Sequence, residues 1–261
     1  MMITSTGNVK VKQLIQWQKK RKARDADHVF LAEGLRMAAE APKEQILELY
    51  ATESFFERHK EEKWIREQGK KLTLVSDAVF ERVSDTKTPQ GVLAVMKRHE
   101  YLLDDIVRQR TPLIMMLDNL QDPGNLGTIL RAGEAAGVTG VILSQDCVDI
   151  YNPKVIRSTM GSIYRMPFVY VKSLIEAIEI LKKSGIQSFA AHLRGKCSYD
   201  REDYTQGTAF LIGNEGNGLR DEVADAADTF IQIPMCGEVE SLNAAVAASV
   251  LMFEAARQRR N

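Results

Sequence analysis

Short apolar runs alternate with segments of helical periodicity along residues 112–261. The apolar runs read "PLIMMLDN", "GVILSQ", "MPFVYV", "QSFAAHL", "AFLIGNE" and "FIQIPM". Strands and helices in strict turn favour a parallel sheet that is covered by helices on both faces. Such sheets bind ligands outside the carboxyl ends of their strands, so this half of the chain predicts a site where loops meet helix starts.

Capping residues predict where two important helices of this half begin and end. Asn125 is expected to open a helix that ends at Gly137. The last helix is expected from about Leu242 to Arg260, with Ser241 as its cap. Asn243 would then lie inside the first turn, where Asn is a mediocre helix former.

The first hundred residues also alternate helices and strands, which predicts a smaller α/β layer fold. A basic helix is expected from about Lys10 to Arg24. The run "SFFERHKEEKWIREQG" at residues 54–69 predicts one charged helix, and Asp77 is expected to cap a short one.

A charged segment, "MKRHEYLLDDIVRQRTP", separates these two differently patterned halves and ends the first with a Pro. We therefore predict a first domain at residues 1–104, a linker at residues 105–111 and a second domain at residues 112–261. Length and alternation in both halves make the fold class α/β.

Composition narrows the class of protein further. Hydrophobic residues make up 44% and charged residues 27% of the 261 residues, as in ordinary globular proteins. No window approaches 18 uninterrupted apolar residues and the N-terminus lacks the apolar core of a secretory signal, so a cytoplasmic protein without membrane association is expected. The three cysteines form no CxxC pair and no Asp/His cluster is present, so neither a disulfide framework nor a metal site is expected.

The charge is distributed unevenly although its sum is zero. Residues 1–110 hold 21 Lys and Arg against 17 Asp and Glu, and residues 1–24 hold seven basic residues and no acidic one. Such a run indicates either contact with a polyanion or a solvated helix face. The basic residues are Lys10, Lys12, Lys19, Lys20, Arg21, Lys22 and Arg24.

Three predicted strand ends are followed by small polar residues. The first, "LDNLQDPGNLGTILRAGEAAGV", joins a buried strand to a helix that carries Arg131, six residues after Asn125. The second, "AFLIGNEGNGL", is rich in glycine, which lets a ligand approach the backbone closely. The third, "IPMCGEVESLN", brings Ser241 and Asn243 to the start of the last helix. Each is compatible with an ordinary turn, but together they favour one composite pocket.

These three patterns occur in order as N-L-x-D-P-G-N-x-G-x-x-x-R, L-I-G-N-E-G-x-G-L and I-P-M-x-G-x-V-x-S-L-N-x-x-V-A. Together they closely resemble the three signature motifs of the SpoU (TrmH-type) RNA 2′-O-ribose methyltransferases of the SPOUT superfamily. The runs "NVKVK", "FLAEG" and "PQGVLAV" make the first half similar to that family's substrate-binding domain, which has an RNA-binding fold like ribosomal L30/L7Ae.

The resemblance implies S-adenosylmethionine as cofactor, RNA as substrate, a trefoil knot in the second domain, and a homodimer formed through that domain. Ribosomal RNA of the 23S type is favoured over transfer RNA by the type of the first domain. By motif position the cofactor would contact Gly213, Ile233, Met235 and Leu242. The catalytic residues implied by motif position are Asn125, Arg131, Glu215, Ser241 and Asn243.

Arg131 is the residue that the resemblance connects with the 2′-hydroxyl, either as a base or as a clamp that binds phosphate and hydroxyl. We favour the clamp, because a free Arg has a pKa above about 12 and resists deprotonation at neutral pH. Ser241 and Asn243 would then orient the hydroxyl or Arg131, and Glu215 would hold Arg131 or the facing loop. His192, at another strand end, is the alternative base.

Four other interpretations remain open at the level of sequence. The resemblance permits a base methyltransferase of the wider superfamily, although the pattern of Ser241 and Asn243 favours the ribose class. A transfer RNA methyltransferase would carry the same motifs. An RNA-binding or ribosome-assembly factor that keeps the fold without catalysis would have a broken set of polar residues, whereas all five positions are filled here. A nucleotide-dependent doubly wound enzyme would show a glycine fingerprint after its first strand, and residues 119–127 lack one.

Overall fold

The computed structural model describes residues 2–195 and 197–260. Contacts divide the chain into two units. Unit 1 is Met1–His99 with Asp149–Tyr164, and unit 2 is Glu100–Val148 with Arg165–Asn261. The segment Asp149–Tyr164 therefore belongs to the first unit, although the sequence led us to expect two domains that are each continuous in the chain.

Unit 1 contains a sheet of four strands among its described residues. The elements before residue 100 are α1 Val9–Lys19, α2 Arg21–Asp27, β1 Val29–Glu33, α3 Leu35–Ala39, β2 Ile46–Thr52, α4 Glu53–His59, α5 Lys63–Arg66, β3 Leu72–Val75, α6 Asp77–Val83 and β4 Val92–Lys97. The strand order is β1-β4-β2-β3, with β3 parallel to β2 and the other pairs antiparallel. Helix α1 buries Val11, Leu14 and Gln18, a spacing that places them on one helical face. Val11 and Leu14 of that face join a core with Leu31 and Leu93 of the sheet.

The basic helix expected from Lys10 to Arg24 is broken in two. Lys20 has extended backbone (φ −122°, ψ 114°) between α1 and α2. The break turns Arg24 inward, where its guanidinium donates to the carbonyl of Trp17 at 2.6 Å and to Asp149 Oδ2 at 2.5 Å. Arg24 is only 3% exposed, so it differs from the other six basic residues, which face solvent.

The charged helix expected at residues 54–69 is also broken, between α4 and α5. Phe55 of α4 and Ile65 of α5 are both buried, so each of the two short helices turns an apolar side chain inward. Glu62 has extended backbone at the break and accepts from the indole N–H of Trp64 at 2.6 Å. A smaller correction concerns α6, which is capped by Ser76 and not by Asp77.

Unit 2 contains a parallel sheet of seven strands in its described residues. The elements from residue 100 onward are α7 Leu103–Val107, β5 Leu113–Leu117, α8 Pro123–Ala136, β6 Gly140–Ser144, α9 Pro153–Thr159, β7 Phe168–Val171, α10 Leu174–Lys183, β8 Gln187–Ala191, β9 Cys197–Ser198, β10 Thr208–Ile212, α11 Asp221–Ala226, β11 Thr229–Gln232 and α12 Ala244–Gln258. Of these, α9 lies in unit 1 and α7 overlaps the expected linker. The strand order is β7-β6-β5-β10-β8-β11-β9. Strands β5, β6 and β10 are buried along their full length, as expected for strands that are covered on both faces.

Two helix starts differ from the expected ones. Helix α8 begins at Pro123 with Asp122 as its cap, so Asn125 lies in the first turn and does not open the helix. Helix α12 is capped by Asn243, whose side chain accepts from the backbone N–H groups of Ala245 and Val246. Ser241 is therefore not the cap. Asn and Ser are comparable caps, so propensity alone could not choose between them.

The segment Asp149–Tyr164, which contains α9, packs within unit 1. The ring of Tyr151 stacks on Phe30 of β1 at a centroid distance of 4.9 Å, and Tyr164 donates to the carbonyl of Met37 at 2.8 Å. Asp149 neutralises the buried Arg24. Within the described chain, no helix combines the length and apolarity needed to cross a bilayer.

Candidate functional site

A cavity of about 490 Å³ lies in unit 2 beyond the carboxyl ends of β8, β10 and β11. This is the edge of the sheet where ligands of parallel α/β folds bind, and the volume is within the usual range for a small-molecule pocket. The four residues predicted to contact a cofactor all line it: Gly213, Ile233, Met235 and Leu242.

The glycine-rich loop after β10 forms one wall of this cavity. The N–H groups of Asn214 and Gly218 each donate to the other residue's carbonyl at 2.9 Å, which folds the loop back on itself. A Cβ built on Gly213 would lie 2.0 Å from the carbonyl carbon of Gly218. Only glycine at position 213 permits this close approach.

Glu215, in the middle of that loop, reaches across to the first motif. Its carboxylate accepts from the backbone N–H of Gln121 at 3.1 Å and of Asp122 at 2.8 Å. It also accepts from the side-chain amide of Asn125 at 3.0 Å. Glu215 therefore holds the facing loop and the first turn of α8, which is one of the two roles predicted for it.

The amide of Asn125 continues this connection to the third motif. Asn243 donates from Nδ2 to Asn125 Oδ1 at 3.0 Å, while Asn125 donates from Nδ2 to Glu215. The Oδ1 atom of Asn243 caps α12 by accepting from Ala245 at 2.9 Å. Three of the five predicted catalytic residues thus form one hydrogen-bonded chain that joins all three motifs.

These contacts set the charge of Glu215. Burial alone would raise the pKa of this carboxyl, but the hydrogen bonds from Asn125, Asp122 and Gln121 outweigh burial and lower the pKa below its ordinary value. The carboxylate is therefore ionised at neutral pH and acts as a hydrogen-bond acceptor, and it is not a proton donor there.

Ser241 and Arg131 do not belong to the hydrogen-bonded chain. Ser241 lines the cavity and is exposed, and it makes no hydrogen bond to any other residue of the described chain. Arg131 is exposed on α8, and within residues 2–195 and 197–260 its guanidinium has no hydrogen bond or ion pair. Both side chains are consequently available to a ligand.

His192 lines the same cavity, at the end of β8. Burial, followed by the charge of Arg194, lowers the pKa of its ring, so it is neutral at pH 7. Its Nδ1 accepts from the backbone N–H of Arg194 at 3.1 Å, which leaves Nε2 with the proton. In this tautomer the outward nitrogen is a donor, which does not favour His192 as the base.

Three polar residues of the site were not singled out from the sequence. Asn214 donates to the carbonyl of Asn119 at 2.9 Å, and its Oδ1 accepts from two N–H groups of its own loop. Asp118 is fully buried and is paired with Arg220. A charged residue at the end of a buried strand was the available signal, because an internal carboxylate requires a partner.

The predicted RNA-binding residues of unit 1 are mostly placed at the surface. Lys12, Lys19, Lys20 and Lys22 are exposed, and Arg21 is exposed with an ion pair to Asp25 at 3.6 Å. Lys10 pairs with Glu48 at 3.2 Å. Arg24 is the exception, because its guanidinium is buried and neutralised by Asp149 and so cannot contact a substrate.

The described residues contain no group of three or more His, Cys, Asp or Glu that could hold a metal ion. Fold and site together define a two-unit α/β protein with a ligand cavity at the carboxyl edge of a parallel sheet, where polar residues from three strand ends converge. The profile of the SpoU rRNA Methylase family matches residues 112–253, and that of the MRM3-like substrate binding domain matches residues 8–94. The chain belongs to the SpoU rRNA methylase family, which confirms the resemblance seen in the three motifs.

Relatives match both halves of the chain. The chain is 32% identical to the 23S rRNA (guanosine(2553)-2′-O)-methyltransferase RlmP of Bacillus subtilis, over 96% of this chain and 97% of that protein. It is 34% identical to a 23S rRNA (uridine(2479)-2′-O)-methyltransferase of Streptomyces viridochromogenes, over 76% of this chain and 72% of that protein. The crystal structure of an AdoMet-bound rRNA methyltransferase from Sinorhizobium meliloti superposes with a TM-score of 0.86 at 30% identity, over 98% of this chain and 97% of that one.

Proposed function

We propose that this protein transfers a methyl group from S-adenosylmethionine to a ribose 2′-hydroxyl of 23S-type ribosomal RNA. The observation that carries the proposal is the chain of hydrogen bonds from Glu215 through Asn125 to Asn243 beside the cavity. It is supported by two relatives named as 23S rRNA 2′-O-methyltransferases, one matched over 96% of this chain and the other over 76%. One of them acts on a guanosine and the other on a uridine, so the family does not determine the base.

The cavity fits S-adenosylmethionine in size and in chemistry. Its volume of about 490 Å³ suits a nucleoside with a short side chain, and Gly213 leaves no side chain between a ligand and the loop backbone. Ile233, Met235 and Leu242 supply apolar walls for an adenine ring. When bound, the cofactor supplies an electrophilic methyl group on a sulfonium.

The polar residues of the site would orient the 2′-hydroxyl. Asn125 and Asn243 have both amides committed to the hydrogen-bonded chain, so they set positions and do not take part in proton transfer. The hydroxyl of Ser241 is uncommitted and lines the cavity, so it can accept or donate a hydrogen bond to the ribose. Correct alignment of donor and acceptor is a large part of such a reaction's barrier.

Arg131 acts as a clamp in this proposal. An Arg guanidinium keeps its proton in proteins, so Arg131 is suited to binding negative charge and not to serving as the base. Its charge can instead bind the RNA phosphate and stabilise the oxygen as negative charge develops. Arg131→Lys keeps the charge but loses the bidentate geometry, so near wild-type turnover of this variant would exclude the clamp.

A homodimer through unit 2 is part of the proposal. On α12, Val246 is 49% exposed and Phe253 is 47% exposed, with the half-buried Val250 between them. Spacings of four and three residues place these side chains on one helical face, where another protein surface would cover them. Arg131 lies exposed on the neighbouring α8, so a second copy of the chain could bring Arg131 to the partner's cavity.

RNA would be held by the exposed basic residues of α1 and α2 in unit 1. Because such binding neutralises phosphates, its affinity depends strongly on salt concentration. Contacts of this kind recognise the shape of folded RNA more than its sequence. The proposed compartment is the cytoplasm, where ribosomal RNA is available.

The proposal is tested by mapping 2′-O-methylated nucleotides in ribosomal and transfer RNA by mass spectrometry, with and without the gene. We expect one ribose methyl in 23S-type rRNA to disappear and to return with the intact protein but not with Arg131→Ala. Loss of a methyl from transfer RNA would favour the alternative substrate. No change in either RNA pool would contradict the proposed reaction on these substrates.

A further inference from the structure

Asp118 and Arg220 form an ion pair at the base of the glycine-rich loop. Arg220 donates to the Asp118 carboxylate from its backbone N–H at 2.9 Å and from Nε at 2.9 Å, and its Nη2 contacts the same oxygen as Nε. Asp118 is fully buried, so its charge requires a partner of this quality. The side chain of Arg220 remains partly exposed.

This ion pair lies where both ends of the loop meet the carboxyl end of β5. Leu117 of β5 is paired with Ile212 of β10, and Asp118 follows directly and continues the ladder with its N–H to the carbonyl of Ile212 at 2.9 Å. The loop leaves β10 at Gly213 and returns at Arg220, the residue at the N-cap position of α11. The ion pair therefore ties the returning end of the loop to the strand beside its starting end.

A second strand end strengthens the anchor. Arg220 Nη1 lies 3.3 Å from Asp146 Oδ2, just after β6. Ser144, which contacts Asp146, accepts from the backbone N–H of Asn119 at 2.8 Å. The hydrogen bond with Asp118 raises the pKa of Arg220, with burial opposing, so the guanidinium stays charged.

The anchored loop supplies a cavity wall and a site residue together. Residues 213–219 all line the cavity, and Glu215 projects from the loop to the first turn of α8. We propose that Asp118 and Arg220 are positioning residues, whose ion pair holds this loop so that its wall binds the methyl donor and Glu215 reaches Asn125. The inference rests on the proposed function, because the ligand measured is S-adenosylmethionine.

Arg220→Lys is the most informative variant. Lys retains a positive charge near Asp118, so the protein can fold. It cannot reproduce the planar contacts of Nε and Nη, so the C-terminal end of the loop is no longer held in place. We expect the dissociation constant for S-adenosylmethionine to rise about tenfold or more. The KM for RNA should stay within about twofold, because the RNA contacts proposed for Arg131 and for α1 and α2 lie outside the loop that Arg220 anchors. If Arg220 only stabilised the fold, Arg220→Lys would lower the melting temperature without raising the dissociation constant for S-adenosylmethionine selectively over the KM for RNA.

The matched control is Arg108→Lys, which alters an exposed Arg paired with Asp104 on α7. Calorimetric titration of each folded protein with S-adenosylmethionine gives the dissociation constants, and melting curves establish that each is folded at the titration temperature. Asp118→Asn, which removes the charge from the other side of the pair, provides the second variant if Arg220→Lys does not fold. Dissociation constants for Arg220→Lys and Arg108→Lys within twofold of wild type would overturn the inference.

A double-mutant cycle with Glu215→Gln tests whether Arg220 acts through Glu215. We expect the double variant to bind the donor at least fivefold more tightly than the product of the single effects predicts, because both changes release the same loop. Single effects that simply multiply would contradict the role. If the wild-type protein does not bind S-adenosylmethionine, the proposed function itself is wrong. If wild type and Arg220→Lys bind it equally well, only the positioning role of Arg220 is wrong, so the two failures can be told apart.

Discussion

Glu215 is the single residue that connects the glycine-rich loop with the start of α8. It accepts hydrogen bonds from two backbone N–H groups and from the amide of Asn125. Hydrogen bonds to a charged acceptor are roughly twice as strong as hydrogen bonds between neutral groups, so a carboxylate suits this position better than an amide. Its lowered pKa preserves the charge down to acidic pH.

Glu215→Gln is expected to lower methyl transfer by roughly tenfold, a loss of about 1.4 kcal/mol in transition-state stabilisation. The amide oxygen can replace only part of the acceptor capacity, and its NH₂ group would face the donors of the first motif. Steady-state kinetics with labelled S-adenosylmethionine measures the effect. Glu222→Gln, at an exposed position of α11, is the control and should retain full activity.

Asn243 has two functions that one substitution can separate. Asn243→Asp keeps the oxygen that caps α12, because Asp and Asn are equally good caps, but it removes the N–H that binds Asn125. We expect an almost unchanged melting temperature and a loss of turnover of roughly tenfold.

Asn152→Asp is the matched control for Asn243→Asp. Asn152 caps α9 by accepting from Lys154 at 2.9 Å and lies outside the cavity. Unchanged turnover in both variants would show that the bond between Asn243 and Asn125 has no role in catalysis.

At the scale of elements, α8 and α12 place the polar residues beside the cavity. Each helix uses its first turn for the site, and the cap of each is a polar side chain within a motif. The outward face of α12 carries Val246 and Phe253, which a monomer would leave in water. This face is the one we propose for dimer formation.

Phe253→Lys is expected to convert a dimer into a monomer, because a charged side chain cannot be buried in an apolar interface without a partner. Analytical ultracentrifugation measures the change. Ile180→Lys, at a 40% exposed position of α10, tests the general effect of a surface charge and should leave the dimer intact. A wild-type protein that sediments as a monomer would exclude the proposed dimer.

At the scale of the whole molecule, the chain is organised in two units that do not follow its order. The segment 149–164, between β6 and β7, belongs to unit 1, where Asp149 neutralises the buried Arg24. A fragment of residues 1–104 would therefore lack the acid that accompanies this Arg. The proposed domain boundary is thus a boundary of sequence motifs and not of packing.

Asp149→Asn is expected to lower the free energy of unfolding by about 3 kcal/mol, because it leaves the charge of Arg24 buried and unpaired. The melting temperature should fall by roughly 6–12 °C, as measured by calorimetry. The control is Glu61→Gln, which alters an exposed residue 3.9 Å from Arg66 and should have almost no effect. A change below about 1 kcal/mol would show that Arg24 is solvated in solution.

Alternation of apolar runs was sufficient to predict the α/β class and the three strands that precede the motifs, β5, β10 and β11, because burial on both faces of a parallel strand leaves a continuous apolar signal. The breaks at Lys20 and near Glu62 could not be predicted, since both depend on which side chains the core receives. The caps were expected at Asp77 and Ser241 but lie at Ser76 and Asn243, because several neighbouring residues can cap a helix equally well.

The sequence by itself determined the fold class, the three motifs and the four cavity residues from Gly213 to Leu242, because these follow from local periodicity and from the resemblance that the motifs carry. Only the tertiary structure decided which polar groups meet: that Glu215 binds Asn125, that Asp118 binds Arg220, and that Arg24 is buried against Asp149. These pairs are separated by 90, 102 and 125 residues. Partners so distant are selected by strand order and by the cost of an unpaired buried charge, neither of which is written in local sequence.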